Sequence, residues 1–136
     1  TVVNNQRMVT PWGRMKRVGV ASPEKLHDLQ NQAANFPHQA IAHDILLEAA
    51  MDAAERLLSA WDAHCWNEVY DAIYFEIDAD DVKIGAAIGH VCEIIVDVPK
   101  RYGLTEIPFL GDAKVGYRWG SMADWKGTLE ATLGHT

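Results

Sequence analysis

A chain of 136 residues, 49% apolar and 23% charged, is one domain's length of sequence, able to bury a core, which excludes a disordered tail, a collagen-like repeat and a small disulfide-stapled scaffold. No apolar run approaches the roughly 20 residues that span a bilayer, and no signal pattern leads the chain, so a cytoplasmic protein with no membrane association is expected. Residues 1–39 carry five basic against two acidic side chains and residues 40–82 one against eleven. This excludes a uniformly basic nucleic-acid-coating surface. It suits either solvated helix faces with a stray basic loop, the reading that charge alone favours, or contact with phosphates at one end and with a cation at the other.

Residues 1–21 show no sustained period and contain Pro11, Gly13 and Gly19, which predicts loop and short extended pieces. Ser22-Pro23-Glu24 is a helix-start signature: a capping hydroxyl, a proline whose missing N–H is harmless there, and an acid near the positive end of the dipole. A short helix is expected to about Ala34, with Phe36 made non-helical by Pro37. From about His38 to Asp62, Leu47, Met51, Ala54, Leu58 and Trp61 recur at three and four residues and predict the core-facing stripe of a long helix. Asp44, Glu48, Asp52 and Glu55 run beside it as a solvated polar stripe. Over residues 65–78 the period changes to two: Ile73, Phe75 and Ile77 alternate with Tyr74, Glu76 and Asp78, a half-buried strand. Trp66 to Val69 is its partner, with Tyr70-Asp71-Ala72 at or near the turn. Ile84, Ile88, Val91, Ile95 and Val98 trace another amphipathic helix over residues 80–98, closed by Pro99. Residues 107–119 read as a last strand and 120–136 as a tail. The order predicts an α+β fold in a single domain, with helices on one face of a small antiparallel sheet. Cys65 and Cys92 are expected to be buried thiols rather than a disulfide.

Four local strings go further than periodicity. Asn35-Phe36-Pro37-His38-Gln39-Ala40-Ile41-Ala42-His43-Asp44-Ile45, ending in Ala50-Met51, resembles the Asn-x-Pro-x-Gln-Gly-x-x-Ala-Asp-Ile…Ala-Met segment of family A DNA polymerases. Thr10-Pro11-Trp12-Gly13-Arg14-Met15-Lys16-Arg17 resembles that family's Thr-x-x-Gly-Arg-x-Arg turn. Val69-Tyr70-Asp71-Ala72-Ile73-Tyr74-Phe75-Glu76 resembles its motif C, Val-His-Asp-Glu-x-x-x-Glu. Pro108 to Trp119 resembles its closing Pro-x-x-x-(Asp/Glu)-x-x-x-Gly-x-x-Trp strand. The blocks stand in family order over about residues 10–120, and together they single out a C-terminal palm segment, with a phage-type flavour.

The resemblance implies phosphoryl transfer from an incoming deoxynucleotide triphosphate to a primer 3′-hydroxyl, with Mg²⁺ as cofactor and a pair of ions stabilising the attacking and leaving oxygens. It makes Asp71 the catalytic metal ligand; on the hairpin alone, an Asp that satisfies turn N–H groups is the alternative. Asn35 and Gln39 match positions that test base pairing in the minor groove, where the acceptors are common to all correct pairs; capping the start of the long helix is the alternative. Arg14, Lys16 and Arg17 match residues placed against DNA phosphates, or else decorate a solvated loop. Tyr70 stands where motif C has His, offering a hydroxyl and a ring face near the primer terminus. Three departures accompany these matches: Ala72 replaces a second carboxylate, Ala40 replaces Gly, and Asn31 replaces an Arg.

Motif A, with the family's other essential Asp, and motif B, with its triphosphate-gripping Arg and Lys, are both missing from the sequence. One carboxylate cannot place two metals. The expected partners are therefore primer–template DNA, deoxynucleotide triphosphates and a further polymerase chain carrying motifs A and B. The opening Thr1 is compatible with a split gene, intein removal or truncation. Such a piece is expected to expose an apolar patch where its other half docks. The alternative is a catalytically inactive palm-like module that binds DNA or a partner. A zinc site is disfavoured: His38 with His43, His64 with Cys65, and His90 with Cys92 lack zinc-ligand spacing.

Overall fold

In the computed structural model, residues 7–10, 12–18 and 23–134 are described. Ser22, expected from the sequence to cap a helix, and the ends of the chain lie outside them. The fold is α+β, with three separate two-stranded antiparallel sheets among the described residues and a long helix of 36 residues. The chain divides into two compact units, Thr1–Ile45 and Leu46–Thr136. Among the described residues, no helix is long and apolar enough to cross a membrane.

In the first unit, β1 (Arg7–Val9) and β2 (Met15–Arg17) form a hairpin. The turn follows from its sequence. The Thr10 carbonyl accepts from the Gly13 N–H, its hydroxyl accepts from the Arg14 N–H at 3.0 Å, and Gly13 takes φ 88°, which a side chain would resist. Met8 and Thr10 are buried. A 3-10 turn over Pro23–Lys25 leads into α1, Leu26–Trp61.

That helix corrects the sequence reading in two ways. Phe36 is helical and Pro37 sits within the helix, so one element replaces the two expected. An interior proline costs a ladder hydrogen bond and crowds the carbonyl one turn back, and the good helix formers on both sides, Gln32-Ala33-Ala34 and Gln39-Ala40, carry the backbone through. The Lys16 ammonium also lies 5.8 Å from the centre of the Phe36 ring. The second correction concerns the core stripe. Ile45, Ala49, Ala50, Ala53 and Leu57 are the buried positions, whereas Leu47, Met51 and Leu58 are 38%, 66% and 49% exposed. Burial along this helix is carried by small alanines, and the larger residues lie on an outer flank.

The second unit begins on the same helix. Asp62 ends it in the left-handed conformation (φ 53°), its N–H donating to the Leu58 carbonyl in an αL-type stop while the Ala63 N–H donates to the Leu57 carbonyl. β3 (His64–Val69) and β4 (Ala72–Glu76) then form the expected hairpin, with Val69 opposite Ala72 and a bulge at Trp66. Phe75 and Ile77 pack with Trp61 and Val91 against Leu57, Ala63 and Ala87. Asp80 caps α2 (Asp81–Arg101) by accepting from the Lys83 N–H. This helix buries Ile84, Ala87, Ile94, Val98 and Pro99. It runs two residues beyond Pro99, because that residue's carbonyl still accepts from Tyr102 and Leu104.

The last strand is shorter than expected. Only Lys114–Val115 is β5, paired with β6 (Ala123–Asp124), and the tail adds α3 (Leu129–Leu133), capped by Thr128. Two close approaches explain the glycines of this stretch. A Cβ on Gly111 would press on Ile95, and one on Gly116 would collide with the Ser121 carbonyl and Met122. Asp81 anchors the tail by accepting from the Leu129 N–H at 2.7 Å.

The acidic stripe of α1 is not simply solvated. Asp44 pairs with Arg14 in the first unit. In the second, Arg101 reaches Glu48 at 3.0 Å and Asp52 at 2.8 Å, and Tyr102 donates to Glu48. The two carboxylates hold the Arg101 guanidinium above its ordinary value. Both cysteines are free, and Cys65 is exposed rather than buried.

Candidate active site

The residues singled out by sequence fall on three pieces of structure. Tyr70 and Asp71 form the two-residue turn between β3 and β4. The first position of such a turn takes positive φ, which is why Gly or Asn is usual there. Tyr70 occupies it at φ 56° and is 93% exposed. A non-glycine residue held in that region carries a backbone penalty of about 1–2 kcal/mol. Asp71 follows at the tip, exposed, with no hydrogen bond or ion pair among the described residues. Its carboxylate is therefore not the turn-satisfying group of the structural alternative; it is an open oxygen pair on a rigid support.

The support comes from the base of the hairpin. The bulge frees Trp66 from the ladder, and bulges re-aim side chains in this way. Its ring meets Trp119 edge-on at 5.0 Å and Tyr74 at 5.8 Å, while Trp119 stacks on Tyr74 at 4.8 Å and 22°. The tryptophan of the closing block thus packs on the motif-C-like hairpin, some 45 residues back along the chain. Beneath lies an open cleft of about 490 Å³, lined by Ile73, Phe75 and Ile77 from the hairpin region, Ile88 and Ile95 from α2, and Met122. Asp71 does not line it.

In the first unit, Arg14, Lys16 and Arg17 share one hairpin. Arg14 is held by Asp44, Lys16 lies over the Phe36 ring, and Arg17 is exposed. Asn35 and Gln39 lie four residues apart well inside α1 and are exposed. The capping alternative therefore fails, since the first turn of the helix is far upstream. Asn31 precedes them on the same stripe and meets His27 at 3.2 Å.

Two features escaped the sequence reading. Arg7 stands opposite Arg17 across β1–β2; the signal was there, since the two residues are equally spaced about Trp12. The aromatic trio depends on the Trp66 bulge, which no local pattern marks.

The fit to Mg²⁺ can be judged from the donor. An exposed, unpartnered carboxylate at a hairpin tip suits a hard cation. Among the described residues, no three His, Cys, Asp or Glu side chains gather to hold a metal, so Asp71 offers one carboxylate of the set required. Compared with family models, curated proteins and solved structures, the chain matches none.

Proposed function

We propose that the chain is the C-terminal palm part of a family A-like DNA polymerase, acting in a cytoplasmic setting together with a second polypeptide that carries motifs A and B. The observation that carries this reading is the β3–β4 tip: Asp71 open to solvent beside a strained Tyr70, on a hairpin buttressed by Trp119 of the closing block. Asp71 would hold Mg²⁺, which when bound neutralises charge developing on the transferring phosphoryl group. The chain's own residues do the rest. The two-residue turn fixes where the carboxylate points, Tyr70 presents its ring and hydroxyl to the primer end, and Asn35 and Gln39 offer amides to base edges.

Partner dependence has its own support. Leu47, Met51 and Leu58 form an exposed apolar flank on α1, and among the described residues both β3–β4 and β5–β6 are two-stranded sheets with unpaired edges. Such edges and flanks are ordinarily covered. Ala72 in place of the second motif C carboxylate favours the other reading, an inactive palm-like module that binds DNA or its partner. Mg²⁺-dependent primer extension by this chain mixed with the chain bearing motifs A and B separates the two. Extension that needs both chains supports the polymerase; a complex that forms but never extends supports the inactive module.

A further inference from the structure

Leu47, Met51, Ala54, Leu58 and Trp61 follow one another at four, three, four and three residues, the a and d spacing of a helix–helix seam over two heptads. The fold does not use that seam. Burial on α1 runs instead through Ile45, Ala49, Ala53 and Leu57, which step by four along a different face. Leu47, Met51 and Leu58 stay exposed, and Ala54 and Trp61 are half-buried. The stripe is about 21 Å long, and its C-terminal end is tied down, since Trp61 packs against Leu57, Ala63 and Ala87. Its border is acidic, with Glu48, Asp52 and Glu55 running beside it. Arg101 serves both Glu48 and Asp52, and Glu55 has no ion pair among the described residues. Three carboxylates there meet one guanidinium.

We propose that residues 47–61 of α1 are a docking seam for an amphipathic helix of another polypeptide, one that carries aliphatic side chains at the same spacing and Lys or Arg along one border. Its a and d side chains seat among Leu47, Met51, Ala54 and Leu58 as knobs in holes, which removes from water the large apolar groups the fold leaves out. Ala54, between Met51 and Leu58, leaves room for a bulky partner side chain. Charge selects the occupant. A second copy with its α1 antiparallel would bring Glu48 and Glu55 against the same acids, and like charges at such flanks repel. A parallel copy would set them against Ala50 and Leu57, which are buried in the fold. An anionic lipid surface meets the acidic border with the same sign. A basic border on the incoming helix gives Glu55 an ion-pair partner. The identity of that polypeptide as the chain with motifs A and B rests on the proposed function; the seam rests on spacing, exposure and charge.

The test is fluorescence anisotropy of the full-length chain with fluorescein-labelled three-heptad peptides carrying Leu at a and d and either Lys or Glu at the flanking positions. The Lys peptide should bind, and the Glu peptide about tenfold more weakly. Met51→Glu and Leu58→Glu should each weaken the Lys peptide about tenfold. Val82→Glu, the same change at an exposed apolar position on α2, should not. Glu55→Lys should shift the preference toward the Glu peptide by about threefold. Thermal unfolding of each variant separates lost contact from lost fold. Undiminished binding by the M51E/L58E double variant would overturn the seam, as would failure of the Lys peptide to bind. A dimer in sedimentation that the double variant splits would overturn it in favour of a second copy. If the double variant binds the peptide like the parent while two-chain primer extension proceeds, the seam falls and the polymerase reading stands. If the peptide effects appear but no extension is obtained, the seam stands alone.

Discussion

The β1–β2 hairpin turns through Gly13 at φ 88°, whereas the β3–β4 hairpin turns through Tyr70 at 56°. In the first, Thr10 accepts from the Gly13 and Arg14 N–H groups, and the positive φ falls on a glycine. The second keeps a bulky residue where glycine would be easier, with an unpartnered carboxylate beside it, and is held from below by three aromatic rings. The difference teaches where folding chooses the residues and where it does not. Strain at an exposed tip points to a role for Tyr70 and Asp71 outside the fold.

The comparison breaks first at the base of the second hairpin. Leu57 is 1% exposed in the cluster that carries Phe75. Leu57→Ala should cost about 2–5 kcal/mol in urea unfolding, through lost burial and the cavity left behind. Gly116→Ala should cost about 1–3 kcal/mol in the same assay, because the added methyl meets backbone that must move. Trp119→Ala removes two ring contacts, each adding about 0.5–1.5 kcal/mol beyond simple burial. It should loosen the β3–β4 tip, read as faster amide exchange at Tyr70 and Asp71, and leave β1–β2 unchanged.

The two turns should then answer glycine exchange with opposite signs. Tyr70→Gly should stabilise by about 1 kcal/mol and Gly13→Ala destabilise by a similar amount in thermal unfolding. Tyr70→Gly should nonetheless impair primer use, which would show the strain serving function. The smallest effect is electrostatic. Lys83 donates to Asp78 at 2.5 Å and holds that exposed carboxyl below the usual carboxylate range. A folded value below the unfolded one means the contribution is whole above about pH 4 and fades as pH falls through the depressed value. The slight stability gap between parent and Asp78→Asn should therefore close on acidification.

The β3–β4 hairpin was legible because Ile73, Phe75 and Ile77 alternate cleanly, which put Asp71 at or near its turn; the metal role proposed for Asp71 comes from the motif C resemblance. The buried stripe of α1 was not legible. Burial there is carried by Ala49, Ala50 and Ala53, and a pattern weighted by side-chain size selects Leu47, Met51 and Leu58 instead. Pro37 reads as a break from local sterics, yet one missing donor does not stop a long helix. The last strand was overextended because Gly111 and Gly116 serve close packing rather than pairing. The pairing of Arg14 with Asp44 depends on tertiary structure that no local pattern marks.

The central claim is that the β3–β4 tip supplies a metal-binding carboxylate. Its most direct test is Asp71→Asn in two-chain, Mg²⁺-dependent primer extension, with complex formation monitored in parallel. The account predicts an intact complex whose extension rate falls roughly a thousandfold or more, since a charge-neutral amide cannot replace the ligand. Extension by Asp71→Asn at the parental rate would contradict it.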